Sequence, residues 1–435
     1  MSVGTQETTR PCPRCGAGIG GDQRFTVWCA ACDWNVDPEG PPRREPRRLD
    51  RTRRALARRH GEKLHADMVS GEALRARGDA SALLALVIAL VVHGMTAAVV
   101  AGGVWCLVEG WGGWLMLPGL FLLVLAWILR PRTATLPDHV PVLYRDDAPA
   151  LFALVDEVAA VAGTRGVDAV VLDGMINASV QSYGWRGRRM LVLGMPYWEI
   201  LTTQQRVALL GHELGHFGNG DVRQNTVLGG AYTSLITWAY CFSPDEDPDP
   251  ANAALLLLSS LLLLVPYWLV TGVLLLLDRL TLRASQRAEY LADRMSARVG
   301  STEAAMGLTD RMLVTDSVEG VLVREANRAA LTGSGGHRGA EDRADGLWER
   351  LMAHVASIPD SEYERQRRVA ALRGHSVDAT HPPTHLRRAA LAAGERLSAA
   401  VVVEGDRADR IAGELAEARR LVGRRIIREG PSFEG

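Results

Sequence analysis

The residues best suited to chemistry lie in LLGHELGHFGNGD, residues 209–221, where a glutamate directly follows the first of two histidines four residues apart. Apolar residues recur around them at helical spacing. Thr202 or Thr203 can cap the start of a helix, and Gly218 and Gly220 mark its end. The stretch is therefore predicted to be a helix that carries both imidazoles.

On a helix, residues four apart lie on one face, so His212 and His216 can bind one metal ion together. Glu213 is turned about 100° from His212, which suits a general base acting on a water better than a third ligand. The alternative is an amphipathic helix in which the polar residues are incidental. A catalytic zinc usually takes three protein ligands and leaves one position for water, so a third ligand must come from elsewhere.

A second helix is predicted in TLRASQRAEYLADRMSARVG, with Glu289 and Asp293 four residues apart on one face. A carboxylate on such a helix can complete a zinc site. Taken alone, Glu289 would more often be a solvated surface group. Its pairing with Asp293 and with the upstream histidines favours the metal site.

These two motifs together resemble those of the gluzincin metallopeptidases, in which H-E-x-x-H is followed by a helical E-x-x-x-D. The segment SQRAEYLADRMSA is similar to the corresponding segment of the membrane-embedded HtpX-like group, relatives of the CAAX prenyl endopeptidases. The resemblance implies that Glu289 is the third zinc ligand. It also implies that Asp293 accepts a hydrogen bond from a ligand histidine and fixes its tautomer.

Two further stretches extend the resemblance, which covers roughly residues 80 to 395. MINASV resembles the family's edge strand, which implies that Asn177 and Ala178 bind a peptide substrate as an added strand. THPPTHLR resembles the family's His-Pro-Pro-x-x-x-Arg motif. It implies that His381 and Arg387 help to hold the substrate or the developing oxyanion, with a Pro-rich turn and a surface arginine as the alternative.

Four apolar stretches predict two transmembrane hairpins; they are residues 82–106, 114–129, 226–242 and 253–277. Buried hairpins of a soluble protein are the alternative. Arginines flank the hairpin ends, while an acidic stretch, SPDEDPDP, joins the second pair. The positive-inside rule then predicts a multi-pass protein of an inner (plasma) membrane with its N-terminus and active site in the cytoplasm.

The N-terminal region carries a separate pattern, two C-x₂-C pairs separated by thirteen residues. Such spacing predicts a zinc ribbon in which four thiolates hold a structural zinc; the ligands are Cys12, Cys15, Cys29 and Cys32. A redox or disulfide pair is the alternative. Gly16 suits a tight knuckle, and Trp28 and Trp34 are expected to cover the small core. The partner of the ribbon is unknown.

Composition limits the remaining functions. The net charge of −1 is too near neutral for a general nucleic-acid binder. The arginine-rich segment 41–80 can be a solvated helix, a surface against anionic lipid or, less favoured, a nucleic-acid contact.

The first eleven residues contain no apolar run, which predicts no signal peptide. Residues 334–346, rich in glycine and charge, are predicted to be a flap or an insertion.

The sequence therefore predicts an α+β, mainly α, membrane-embedded metallopeptidase with about four transmembrane helices, a small sheet at 168–194 after a helix at 148–163, and an N-terminal zinc ribbon. The predicted parts are a ribbon (1–40), an Arg-rich linker (41–80), a transmembrane hairpin (81–131), a first catalytic part (132–225), a second hairpin (226–278), a second catalytic part (279–395) and a C-terminal tail of surface helices (396–435).

The predicted activity is that of a zinc endopeptidase with one catalytic and one structural zinc, which acts on protein or peptide substrates, especially membrane or misfolded proteins. CAAX processing is disfavoured because only about four spans are predicted. The alternative is a non-catalytic membrane adaptor with a structural metal site and a partner-binding ribbon.

Overall fold

A computed structural model describes residues 10–20, 22, 24–38, 40, 58–59, 61–67, 80–130, 134–184, 186–218, 226–243, 253–331, 344, 346–373 and 381–431. For residues 226, 253–262 and 331 only the backbone is described. Three predicted segments lie mostly outside the described residues: the arginine-rich linker, the acidic SPDEDPDP linker and the flap at 334–346.

The described chain is mainly helical, as predicted, with two small sheets. The strands are β1 (Arg10–Pro11), β2 (Gly18–Ile19), β3 (Val142–Leu143), β4 (Ala169–Asp173), β5 (Ala178–Tyr183) and β6 (Arg188–Gly194). The helices are α1 (Ala80–Glu109), α2 (Met116–Leu129), α3 (Pro149–Ala162), α4 (Met195–Ile200), α5 (Thr203–Gly218), α6 (Thr226–Phe242), α7 (Ala253–Gly300), α8 (Thr302–Met312), α9 (Thr315–Leu331), α10 (Leu347–Ala356), α11 (Asp360–Arg373), α12 (Thr384–Ala393) and α13 (Gly405–Glu429).

The larger sheet has the strand order β3-β4-β6-β5. β4 runs parallel to β6, whereas β5 runs antiparallel to β6 and β3 antiparallel to β4. β5 is thus the outermost strand on one side, and it contacts α5, the helix of the two histidines. At the end of β5, Ala134 bridges to Tyr183.

One hydrophobic core joins α3, the sheet, α5 and the C-terminal half of the chain. The C-terminal tail, predicted to consist of surface helices, contains α13, one face of which, from Ile411 to Ile427, is buried in this core. Glu414 on the same helix accepts hydrogen bonds from the backbone N–H groups of Ala150 (2.7 Å) and Leu151 (2.9 Å). A carboxylate at the N-terminus of α3 also favourably meets its helix dipole.

α7 is a single helix of 48 residues that contains both the predicted span 253–277 and the predicted metal helix. Pro266 lies inside it without ending it. The sequence assigned these stretches to separate parts of the chain. The structure joins them, so the apolar half and Glu289 share one axis.

Among the described residues, two helical segments are long and apolar enough to cross a membrane, namely α1 and the Leu263–Gly300 portion of α7. Only 17% and 11% of their most apolar windows is buried within the protein. α2 and α6 have 14 and 17 residues; 14 helical residues measure about 21 Å, less than the about 30 Å of a bilayer core. The prediction of four spans stays a prediction.

α5 and α7 approach so closely that two contact positions on α5 are glycines. A Cβ on Gly211 would lie 2.9 Å from Val299 Cβ, and one on Gly215 would lie 3.1 Å from Met295 Cβ. Across the same contact, the Ser296 hydroxyl donates to the Ala208 carbonyl at 2.8 Å. The glycines beside the two histidines therefore allow α5 to lie directly on the helix that carries Glu289.

We expect Gly211→Ala to lower the stability of the protein. Overpacking costs about 1–3 kcal/mol, which offsets or exceeds the about 1 kcal/mol that alanine contributes in a helix. Gly413→Ala on α13 is the matched control, since a Cβ there meets no heavy atom within 4 Å, and it should leave stability unchanged or raise it. Thermal unfolding in detergent measures both, and equal midpoint shifts for the two variants would contradict the close contact.

Candidate active site

His212 and His216 lie one helical turn apart on α5, and both are buried. Their ring centroids are 4.9 Å apart and the ring planes are nearly perpendicular, at 89°. Val207, Leu210 and Leu214 of the same helix are buried in the core, which fixes the rotation of α5. The helix predicted from the sequence is therefore present, and its polar residues face the protein interior rather than solvent.

Glu289 on α7 meets both imidazoles. His212 Nε2 lies 3.5 Å from Glu289 Oε2, and His216 Nε2 lies 3.7 Å from Glu289 Oε1. Ligands at about 2.0–2.1 Å from a tetrahedral zinc are about 3.3 Å from one another, so these separations fit a shared ion. Glu289 Oε2 is buried without a hydrogen bond among the described residues, although an arginine lies near it.

The charges around the histidines also fit a divalent cation. Glu213, Glu289, Asp293 and Arg387 are all buried, and with the three carboxylates ionised the group has an excess of two negative charges. Burial lowers the pKa of His212, but the close carboxylates of Asp293 and Glu289 outweigh burial and raise it to about 10. The surroundings thus favour positive charge where a metal would bind.

Asp293 lies one turn after Glu289, and its Oδ1 is 3.1 Å from His212 Nδ1. A carboxylate beside Nδ1 favours a proton on that nitrogen, while Nε2 of His212 faces Glu289 Oε2 and lies 3.4 Å from Arg387 Nη2. Burial raises the pKa of Asp293, but the Arg387 guanidinium and His212 outweigh it and lower it to about 2. Asp293 is thus held as an anion that can orient the ring.

Arg387 on α12 makes a bidentate ion pair with Asp293: Nε donates to Oδ2 at 2.8 Å, and Nη2 donates to Oδ1 at 2.7 Å. Its Nη1 also lies 3.3 Å from Glu289 Oε2. The side chain is only 3% exposed, so Arg387 is not the surface arginine of the alternative interpretation. Its geometry supports holding the two carboxylates of α7, whereas its predicted contact with substrate or oxyanion stays a prediction.

His381 contacts Glu289 from the side of the metal site that is more exposed to solvent. Its Nε2 is 3.2 Å from Glu289 Oε1, and its side chain is 26% exposed, compared with 8% for Glu289. Glu213 is buried beside the two histidines. Burial and the nearby Glu289 raise the pKa of Glu213, and His212, His216 and His381 oppose that rise.

The predicted substrate-binding residues lie at the start of the outer strand. Ala178 is the first residue of β5 and pairs with Leu193 of β6. Asn177 precedes it and is exposed; its side-chain oxygen accepts a hydrogen bond from the Ala178 N–H at 2.8 Å. The structure thus places Ala178 on, and Asn177 directly before, the strand that contacts the histidine helix.

Sequence reasoning missed Tyr197 on α4, which is buried. Burial raises the pKa of its hydroxyl, with Arg387, Glu213 and Asp293 as its charged neighbours. MPYWEI carries no motif that would single this tyrosine out, because a tyrosine in an apolar stretch usually serves packing. The hydroxyl remains neutral beside the charged group.

The four predicted ribbon cysteines also converge. Cys12 Sγ lies 3.7 Å from Cys32 Sγ, and Cys15 Sγ lies 3.6 Å from Cys29 Sγ. A tetrahedral Zn–S site with bonds of about 2.3 Å places its sulfurs about 3.8 Å apart, whereas a disulfide requires about 2.05 Å. The arrangement fits a metal better than a disulfide, and none of the four cysteines forms a disulfide.

The two C-x₂-C knuckles are built alike. Gly16 N–H donates to Cys12 O, and Asp33 N–H donates to Cys29 O. Gly16 and Asp33 both adopt positive φ, 78° and 57°. Glycine suits this backbone best, and aspartate is one of the few other residues that tolerate it. Burial opposes ionisation of Cys12, but the backbone N–H groups of Cys15 and Arg14 help to lower its pKa to about 6, which favours the thiolate that binds metal.

A family model described as "Peptidase family M48" matches residues 147–395, more than half of the 435-residue chain. The matched region begins just before α3 and ends just after α12, so it contains every member of the buried charged group. The cysteine cluster, α1, α2 and α13 lie outside it. No curated protein and no solved structure matches the chain.

We expect Glu289→Gln to remove the metal ion bound at the two histidines, because a neutral amide is a far poorer zinc ligand than a carboxylate. Metal analysis of the purified protein should fall by about one ion per chain, with the ion of the cysteine cluster retained. Glu303→Gln is the control, since Glu303 is 63% exposed on α8. Unchanged metal content in Glu289→Gln would show that this carboxylate is not a ligand.

Proposed function

The chain belongs to peptidase family M48, and on that premise we propose that it is a membrane-bound zinc endopeptidase whose active site is formed by His212, His216 and Glu289. The observation that carries the proposal is the convergence of these three buried side chains, from helices far apart in the sequence, with Glu213 directly beside them. The donor set of two imidazoles and one carboxylate leaves one position of a tetrahedral zinc for water, as a catalytic site requires.

A zinc ion at this site would supply a Lewis acid that polarises the scissile carbonyl and makes a water more acidic. Glu213 follows His212 directly, so its carboxylate would accept the proton of the attacking water and pass it to the leaving amine. Asp293 holds the His212 ring through Nδ1, and Arg387 holds Asp293. The more exposed His381 would donate to the developing oxyanion.

The substrate would pair with the protein backbone near Asn177 and Ala178. Two observations support this: β5 is the outermost strand of its sheet, and it contacts α5. A peptide added beside an outer strand is held extended through main-chain hydrogen bonds, which demand no particular side chain. Such binding suits an enzyme that accepts many unfolded segments, in line with the proposed membrane or misfolded protein substrates and with the HtpX-like resemblance.

The proposed membrane association is supported by α1 and α7, whose large apolar side chains face outward. On α1, Leu83 is 65% exposed and Trp105 is 60% exposed. Along α7, Glu289 follows Leu277 by twelve residues, a rise of about 18 Å. Arg279 and Arg283 lie between them, which supports a cytoplasmic active site near the surface of a plasma membrane.

We expect Glu213→Gln to abolish peptide hydrolysis while the zinc remains bound. Loss of a general base typically costs a factor of about 10²–10⁴ in kcat, and Glu213 is not a member of the ligand set. Casein cleavage and metal content of the detergent-purified protein measure the two effects, with Glu303→Gln as the control. Full activity of Glu213→Gln would reject its role, and an absence of zinc-dependent cleavage in the unaltered protein would favour the non-catalytic adaptor.

We expect the protein to stay with the membrane after washing with concentrated salt, because apolar burial rather than charge would hold it there. Ultracentrifugation of washed membranes, followed by extraction with detergent, measures this. Release by salt alone would show peripheral attachment and contradict the transmembrane assignment of α1 and α7.

A further inference from the structure

The cysteine cluster rests on the catalytic part of the chain through its second knuckle. Here the ribbon means the described residues between 10 and 40. Trp28 packs with Val36 and with Val369 of α11 in a small buried cluster, and the indole N–H of Trp28 donates to the Ser361 carbonyl at 3.2 Å. The ribbon's own core is a different cluster, which contains Cys12 and Ile19. The expectation that Trp28 covers the ribbon core is therefore wrong, because its ring lies on α11.

Arginines of α11 complete the contact. Arg368 Nη1 donates to the Ala30 carbonyl and to Asp33 Oδ1, both at 2.7 Å, and its guanidinium lies 4.9 Å from the centre of the Trp28 ring. The buried Arg365 donates to the Val36 carbonyl at 2.8 Å. Arg373, at the end of α11, pairs with Asp37. The first knuckle makes no comparable contact among the described residues, and Pro13 and Arg14 are exposed.

The contact atoms belong to residues whose backbone is set by the metal ligands. Trp28 directly precedes Cys29, Ala30 follows it, and Asp33 directly follows Cys32. Because a knuckle of this size is held in shape mainly by its metal, the surface offered to α11 depends on whether the four thiolates are joined. Metal binding by the ribbon and its contact with α11 are thus one linked event.

α11 is in turn connected to the active site. Arg367 of α11 and Arg388 of α12 bind the same carboxylate oxygen, Asp310 Oδ1, at 3.1 and 2.8 Å. Arg388 is the neighbour of Arg387, which holds Asp293. A shift of α11 therefore reaches Arg387 through Asp310 and Arg388.

We propose that the second knuckle, once its metal is bound, fixes α11 and thereby positions Arg387 at the active site. Trp28 and Arg368 are then positioning residues for the reaction. The catalytic consequence rests on the proposed peptidase function, whereas the physical link between ribbon and α11 does not. The ribbon acts on this chain's own catalytic part, so it requires no external partner for this role.

The test uses the full-length protein in detergent with four variants. Cys29→Ser/Cys32→Ser removes two ligands, Trp28→Ala removes the contact while leaving all four thiols, and Trp28→Phe keeps an aromatic ring on Val369. Arg396→Ala is the control, because Arg396 makes an exposed ion pair with Glu303 away from the ribbon. Three quantities are measured: metal content, hydrogen exchange in α11 and α12, and kcat and KM for a peptide.

We expect Trp28→Ala to retain both metals, to exchange faster in α11 and α12, and to lose about tenfold in kcat with little change in KM, since small displacements of catalytic groups are costly. Trp28→Phe should recover most of that loss. The double cysteine variant should lose one metal and show the same faster exchange. Arg396→Ala should match the unaltered protein.

Unchanged exchange of α11 in both Trp28→Ala and the double cysteine variant would overturn the proposal. Faster exchange with an unchanged kcat would overturn the positioning of the active site, because the ribbon would then stabilise α11 alone. If the unaltered protein cleaves no peptide, the proposed peptidase function fails, and exchange in α11 and α12 still decides whether the ribbon positions these helices.

Discussion

The buried group of like charges between α5 and α7 is the constraint on which the site depends. Burying a single ionised carboxylate is costly unless it is paired and hydrogen-bonded, and here three carboxylates share one guanidinium, that of Arg387. The remaining negative charge favours a cation, and the two imidazole nitrogens that face Glu289 mark a place where it would bind. Metal binding and the packing of α5 on α7 are therefore linked, since the ion offsets a cost that the fold itself creates.

Such a group can form only if the two helices lie close together. Gly211 and Gly215 remove the side chains that would separate α5 from α7, so the imidazoles of the neighbouring residues reach Glu289 across the contact. The continuity of α7 adds a second restraint. The same rigid helix that carries Glu289 extends into the apolar region, and the depth of the site relative to a membrane is then set by helix length rather than by a flexible linker.

Spacing within one helix is what the sequence reveals best. The i, i+4 pairs of α5 and α7 follow from 3.6 residues per turn. The four cysteines are predicted to cluster because of their residue type and their C-x₂-C spacing. Helix α3 and strands β4 to β6 fall within a residue or two of the predicted ranges, whereas β3 at Val142–Leu143 lies outside the predicted sheet. The strand order, with β6 between β4 and β5, could not be read off, because period-two patterns do not specify neighbours.

Contacts between distant segments are what the sequence did not show. The Ala/Arg/Glu-rich tail suggested surface helices, and the apolar stripe of α13 from Ile411 to Ile427 does not show in the sequence what it packs against. For Arg387 the resemblance implied a place near the cleft without naming an ion-pair partner, and Trp28 was expected to cover the core of the ribbon. The partners Asp293 and Val369 are set by tertiary packing.

The ribbon shows why such contacts carry function as well as stability. Its own buried core is limited to Cys12, Ile19 and Cys29, far too little to order a module of this size without a metal. The exposed ion pairs with α11 would each contribute only about 0–1 kcal/mol, so they cannot create the knuckle's shape and can only recognise it. In the proposed linkage the metal would set the shape of the knuckle and Arg368 and Trp28 would recognise it, and because coupling between two sites is reciprocal, the active site and the cysteine cluster would influence each other.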